Sequence, residues 1–211
     1  MTSRRRRVRQ VMVGPVLKKT TTALTTVLAV CGLGCTPAVA ASPAPSPAPF
    51  SSFFRINTST FVPPPASTSA VTYDPVMVPP GAKVAVTAWG LWDGRTNITF
   101  GITGLIPGHA YGAHLHESPC GDEPADAGSH YQHVIDPVQP SVDPAYANPR
   151  NEVWLDFVPD SEGEAVVMTS VGWRVAGDEP RSVVIHAEHT ATGVGEAGTA
   201  GERLACVTVR V

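Results

Sequence analysis

Lys83 to Leu91 (KVAVTAWGL) and Thr96 to Leu105 (TNITFGITGL) each alternate apolar and polar residues with a period of two. That period puts one face of an extended chain in a core and the other towards solvent. Asp93-Gly94 stands between the two runs, a dipeptide suited to a tight hairpin turn, so the pair predicts an antiparallel hairpin. The same pattern predicts further strands at Ala70–Tyr73, Ala110–His116, Glu152–Phe157, Glu164–Thr169, Ser182–His186 and Leu204–Val211. Asp160-Ser161-Glu162-Gly163 is a second turn signal. No stretch of helical length with a 3.6-residue period follows the first forty residues, so the fold class is all-β. Seven or eight short strands in about 140 residues imply a sandwich or a barrel. The span 121–151 carries no strand pattern and is too long for an ordinary connection, which marks it as a functional or disordered loop.

The beginning of the chain is patterned differently. Arg4 to Arg7, Arg9, Lys18 and Lys19 precede an apolar run, Ala23 to Leu33, which is too short to span a bilayer. Ala38-Val39-Ala40 follows as a small-x-small cleavage site, so residues 1–40 are expected to be a signal peptide. Ser3-Arg4-Arg5 also resembles a twin-arginine export motif, and Gly34-Cys35 matches the end of a lipoprotein box. Export, with the protein secreted or held at the cell envelope, is the common expectation. Residues 41–69 are rich in Pro, Ala, Ser and Thr, with Pro43, Pro45, Pro47 and Pro49 favouring polyproline II, and are expected to form a linker. Phe50, Phe53, Phe54 and Phe61 interrupt that composition and are available to dock. A single domain is then expected over 70–211.

Charge narrows the partners. Residues 1–40 hold seven basic and no acidic side chains, so the formal net charge of −3 becomes −10 for the remainder. Such an acidic chain argues against nucleic acid or an anionic membrane surface as a partner. Beyond residue 40 two cysteines remain, Cys120 and Cys206. In an exported protein they most simply form one disulfide, the other reading being two unpaired thiols. Closing a loop of that length is worth about 4.6 kcal/mol on the chain-entropy account.

The candidate chemistry lies in the histidines. His114 and His116 stand at i and i+2 in a predicted strand, so their imidazoles share a face about 6 to 7 Å apart. Imidazole pairs suit copper, zinc, iron or nickel, although a polar strand face can carry two histidines with no metal at all.

Four further patterns give the pair a context. Gly112-Ala113-His114-Leu115-His116-Glu117 followed by Cys120-Gly121 resembles the first copper-ligand motif of the copper/zinc superoxide dismutases, and Thr103-Gly104-Leu105 with Pro107-Gly108 resembles the turn before it. Ala127-Gly128-Ser129-His130-Tyr131 is similar to that family's Ala-Gly-Pro-His-Phe segment. Val184-Ile185-His186 is similar to its Val-Val-His strand, and Ala200-Gly201-Glu202-Arg203-Leu204-Ala205-Cys206 to its C-terminal signature. The resemblance implies a Greek-key β-sandwich or flattened barrel of about eight antiparallel strands, immunoglobulin-like in architecture. It implies that His114, His116, His130 and His186 bind one copper ion, that His130 also takes part in catalysis, and that Cys120 and Cys206 pair. It further implies that Arg203 is the guanidinium at the mouth of the copper channel, a fixed local cation for a small anion that the acidic domain would otherwise repel.

The zinc half of the pattern is missing. Val138 stands eight residues after His130, and Asn151-Glu152-Val153-Trp154 replaces the family's His-Val-Gly-Asp. Zinc prefers four N, S or O ligands, and three of the family's four are absent, so a copper-only site is expected. A substitute zinc shell from His130, His133, Asp136 and Asp143 is the alternative. Without zinc, His130 needs another hydrogen-bond partner or the 121–151 loop itself to hold it; Glu188, Glu117 and Asp156 are the candidates for orienting metal-bound imidazoles, the other and commoner reading of each being a solvated surface acid. His109 and His189 are expected to stay outside the ligand set, and Trp89, Trp92, Trp154 and Trp173 to serve as core and sheet-face aromatics. The expected activity is conversion of superoxide to oxygen and hydrogen peroxide by Cu(I)/Cu(II) cycling. The competing expectation is a non-enzymatic copper-binding protein of the cell envelope. Oligomeric state is not legible in the sequence.

Overall fold

The computed structural model describes residues 51–65, 69–175 and 177–211. The signal peptide expected over residues 1–40, the prolines from Pro43 to Pro49 and Phe50 lie outside the described residues.

Among the described residues there are eight strands, β1 (Phe53–Thr60), β2 (Ala70–Thr72), β3 (Lys83–Gly90), β4 (Thr96–Thr103), β5 (Gly112–His116), β6 (Glu164–Val171), β7 (Arg181–His186) and β8 (Arg203–Val209). They form two antiparallel four-stranded sheets, ordered β1-β3-β4-β6 and β2-β8-β7-β5. The sheets remain separate, so the fold is a β-sandwich and not a closed barrel. The expected hairpin is β3–β4, closed by the Gly94 N–H on the Leu91 carbonyl at 3.3 Å.

Strand alternation fills the space between the sheets. Val84, Val86 and Ala88 of β3 and Ile98, Phe100 and Ile102 of β4 face Ala113 and Leu115 of β5, Val183 and Ile185 of β7, and Val207 and Val209 of β8, all in one buried cluster. Each large aliphatic side chain buried this way contributes about 1.5–3 kcal/mol. Because Ala113 and Leu115 turn inwards, His114 and His116 must point to the outer face of the second sheet. That face is also closed over. The loop between β5 and β6 lies on it, and Val184 and Cys206 pack there against Ala127 and Cys120.

The linker expected over residues 41–69 is corrected for its second half. Phe53–Thr60 is an edge strand in full register with β3, from Phe53 opposite Gly90 to Thr60 opposite Lys83, and Phe61 is completely buried. The alternation of this strand is inverted after Phe53: Phe54 and Ile56 are exposed, while Asn57 lies half-buried. Asn57 ties the sheets together by accepting from the Arg210 N–H at 3.1 Å and donating to the Arg210 carbonyl at 3.2 Å. The strand expected at Glu152–Phe157 takes a looser form. It runs along the free edge of β5 through isolated bridges, Trp154 with His114 and Phe157 with Tyr111. Trp92 is a second correction: it sits 75% exposed at the β3–β4 turn rather than in a core or on a packed sheet face.

Candidate metal centre

His114 and His116 come from β5, His186 from the end of β7, and His130 from the β5–β6 loop. Their four ligand atoms lie within 4.8 Å of one another. Among the described residues this is the one such group of His, Cys, Asp or Glu, and it could hold a metal ion. His114 and His116 are fully buried and His186 nearly so, while the His130 side chain is 18% exposed.

The loop reaches this position through several ties. Cys120 and Cys206 form a disulfide that fastens the loop's beginning to β8. Arg203, on the same strand, donates from one guanidinium nitrogen to the Pro124 carbonyl at 2.8 Å and from another to the Gly128 carbonyl at 2.7 Å. Gly128 follows a short 3-10 helix, Pro124–Ala127, with φ of +73°, a conformation that side chains disfavour. Its carbonyl also accepts from His116 Nδ1 at 3.0 Å, so one backbone oxygen orients both an imidazole and the guanidinium. Beyond it, His130 forms a bridge with His116.

Each imidazole is held by the nitrogen away from the cluster. His116 Nδ1 donates to Gly128 and His186 Nδ1 to the Gly201 carbonyl at 3.4 Å. A carbonyl only accepts, so in the neutral rings both Nε2 atoms carry lone pairs. These two Nε2 atoms lie 3.4 Å apart. Facing lone pairs are unfavourable unless a cation or a proton comes between them. Protonation is opposed: burial holds His114 and His116 well below the usual histidine range and pushes His186 down to about 3, with the neighbouring imidazoles adding to the effect. His114 Nδ1 is buried with no hydrogen-bond partner. A four-nitrogen donor set with facing lone pairs and an orphaned buried nitrogen fits a transition-metal ion.

His130 is held by Glu152, which sequence reasoning did not select as its partner. Glu152 is 1% exposed, and its carboxylate accepts from His130 Nδ1 at 2.9 Å, from Trp154 Nε1 at 2.7 Å and from Gln132 Nε2 at 2.8 Å. Three donors suit an ionised carboxylate buried among polar groups. Of the candidates named from sequence, Glu117 and Glu188 are exposed. Asp156 approaches the site on the His114 side instead, with its carboxylate 3.8 Å from His114 Nε2.

The alternative zinc shell is not gathered. His133 stacks on Trp173 at 4.9 Å between ring centroids. Asp136 accepts from Ser141 at 2.7 Å, Asp143 closes a turn on Ala145 N–H, and His130 Nδ1 is engaged by Glu152. His109, which bonds the Ala187 carbonyl, and His189 both lie outside the cluster.

An open cavity of about 390 Å³ adjoins the cluster, and His130, Glu152, His186 and Arg203 line it. Arg203 therefore faces the same space as two of the four imidazoles. No protein-family model and no curated protein matches the chain. Among solved structures it is similar to a crystal structure of the clock protein EA4, with a TM-score of 0.49 and 20% identity, the match covering 80% of this chain and 98% of that one.

Proposed function

We propose that this chain is an exported, copper-dependent superoxide dismutase of the copper/zinc superoxide dismutase family that works without zinc. The observation that carries the proposal is a cluster of four converging imidazoles, two of which, His130 and His186, share one small open cavity with Arg203. Copper, when bound by His114, His116, His130 and His186, supplies a one-electron couple through which two superoxide ions and two protons become oxygen and hydrogen peroxide. Imidazole nitrogens suit both copper oxidation states.

The protein's own groups do the rest. Arg203 gives the cavity a fixed positive charge in an acidic domain, drawing in a small anion. Its two carbonyl contacts hold the guanidinium still, so little ordering is required when the anion arrives. Glu152 keeps the Nδ1 proton of His130 in place and leaves Nε2 for the metal or for a proton bound for peroxide. The carboxylate thus stands where a second metal would otherwise hold the ring, which supports a site for copper alone.

Superoxide decay on copper-loaded protein tests this. The expected rate per copper is well above that of free copper, with a loss of about tenfold or more in Arg203→Ala and about a hundredfold in His130→Ala. A copper-binding protein without activity would show no catalysis beyond any copper it releases, and Arg203→Ala would change nothing. Stoichiometric zinc surviving dialysis would contradict the copper-alone reading.

A further inference from the structure

His114 differs from the other three imidazoles in which nitrogen is tethered. His116, His130 and His186 are held at Nδ1, whereas His114 is held at Nε2, which lies 2.7 Å from Thr190 Oγ1. Thr190 is 4% exposed and leans on Asp156. Its hydroxyl donates to Asp156 Oδ1 at 2.7 Å and its backbone N–H to Oδ2 at 3.1 Å, while the Ala113 N–H reaches Oδ1 at 3.2 Å. His189 Nδ1 is 3.4 Å from the same Oδ2 on the outer side.

The direction of these bonds follows from donor counting. An ionised carboxylate accepts only, and a threonine hydroxyl has one hydrogen. With that hydrogen committed to Asp156, Thr190 Oγ1 can only accept from His114. The ring proton must then sit on Nε2 and the lone pair on Nδ1, the buried nitrogen that has no protein partner. Gly112 makes room for the arrangement. A Cβ there would stand 3.2 Å from Thr190 Oγ1 and 2.6 Å from the Glu188 carbonyl oxygen, so a side chain would push the Thr190 segment off β5.

We infer that Thr190, aimed by Asp156, is a positioning residue that fixes His114 as its Nε2–H tautomer and so presents Nδ1 to the metal. The inference rests on the metal-site reading for its purpose, and the tautomer itself can be read without metal. Long-range proton–nitrogen NMR of metal-free protein labelled at histidine nitrogen is expected to show His114 protonated at Nε2 alone. Thr190→Ser, which keeps the hydroxyl, retains that pattern and the copper affinity of the parent. Thr190→Val removes the hydroxyl, mixes the two tautomers and weakens copper binding by about 10- to 100-fold. His114 protonated at Nδ1 in the unsubstituted protein overturns the inference even if the valine variant does not fold. A valine variant that folds with a single Nε2–H tautomer and undiminished affinity overturns it as well. Failure to bind copper at all would defeat the metal reading and leave the tautomer result standing.

Discussion

The two sheets are built from the same kind of strand but meet different surroundings. The β1-β3-β4-β6 sheet is buried on one side, and its strands alternate between covered and open positions. Its outer face leaves Phe54, Ile56, Val166 and Met168 in solvent. The β2-β8-β7-β5 sheet is buried on both sides, with all five residues of β5 and five of the six of β7 covered. The outer face of that second sheet holds the histidines, the disulfide and Val184. A face that must be covered can keep polar groups dry, and dry polar groups need partners. The histidine cluster therefore sits on the sheet whose second face the loop closes.

Acid should separate the two faces most strongly. His114, His116 and His186 are held neutral in the folded protein, His186 down to about 3, against an ordinary histidine value of 6.5. Below pH 6.5 the unfolded chain binds these protons and the folded chain does not, so stability falls as pH falls, levelling off for His186 near pH 3. Each proton taken up on unfolding contributes about 1.4 kcal/mol per pH unit. Denaturant unfolding of the metal-free protein from pH 7 to 5 should give a slope of more than one proton, and a flat profile would refute the dry, neutral cluster.

One substitution placed on both outer faces sharpens the contrast. Val184→Thr buries a new hydroxyl behind the loop and should cost about 2 kcal/mol. Val166→Thr, on the open face, should stay within about 0.5 kcal/mol. Equal effects in chemical denaturation would show that the second face is not sealed. Between these lies Glu152→Gln, which turns one of three accepting contacts into a clash of donors. Copper titration should show affinity lowered about tenfold or more, with the fold intact by circular dichroism.

What was legible in the sequence follows the same division. Strands β3 and β4 announce themselves because one-sided burial enforces strict alternation. The clustered histidines are legible because an i, i+2 pair has one geometric meaning in a strand, and four further patterns joined it. Strand β1 was hidden by its surroundings: the neighbouring Pro-rich composition suggested a linker, and Asn57 faces inwards where a valine would have signalled a strand. Glu152 and Thr190 were hidden for another reason. Their roles depend on contacts over 22 residues to His130 and 76 to His114, made by loops whose path no local pattern specifies. Asp156 was a candidate for orienting a metal-bound imidazole, and its link to His114 runs at one remove, through the Thr190 hydroxyl.

Copper content combined with the Cu(II) EPR spectrum of dialysed protein tests the central claim most directly. One copper per chain, no zinc, and a spectrum of nitrogen ligation that collapses in His114→Ala and His186→Ala is the expected result. Copper that dialyses away, or a spectrum unchanged by those substitutions, would contradict it.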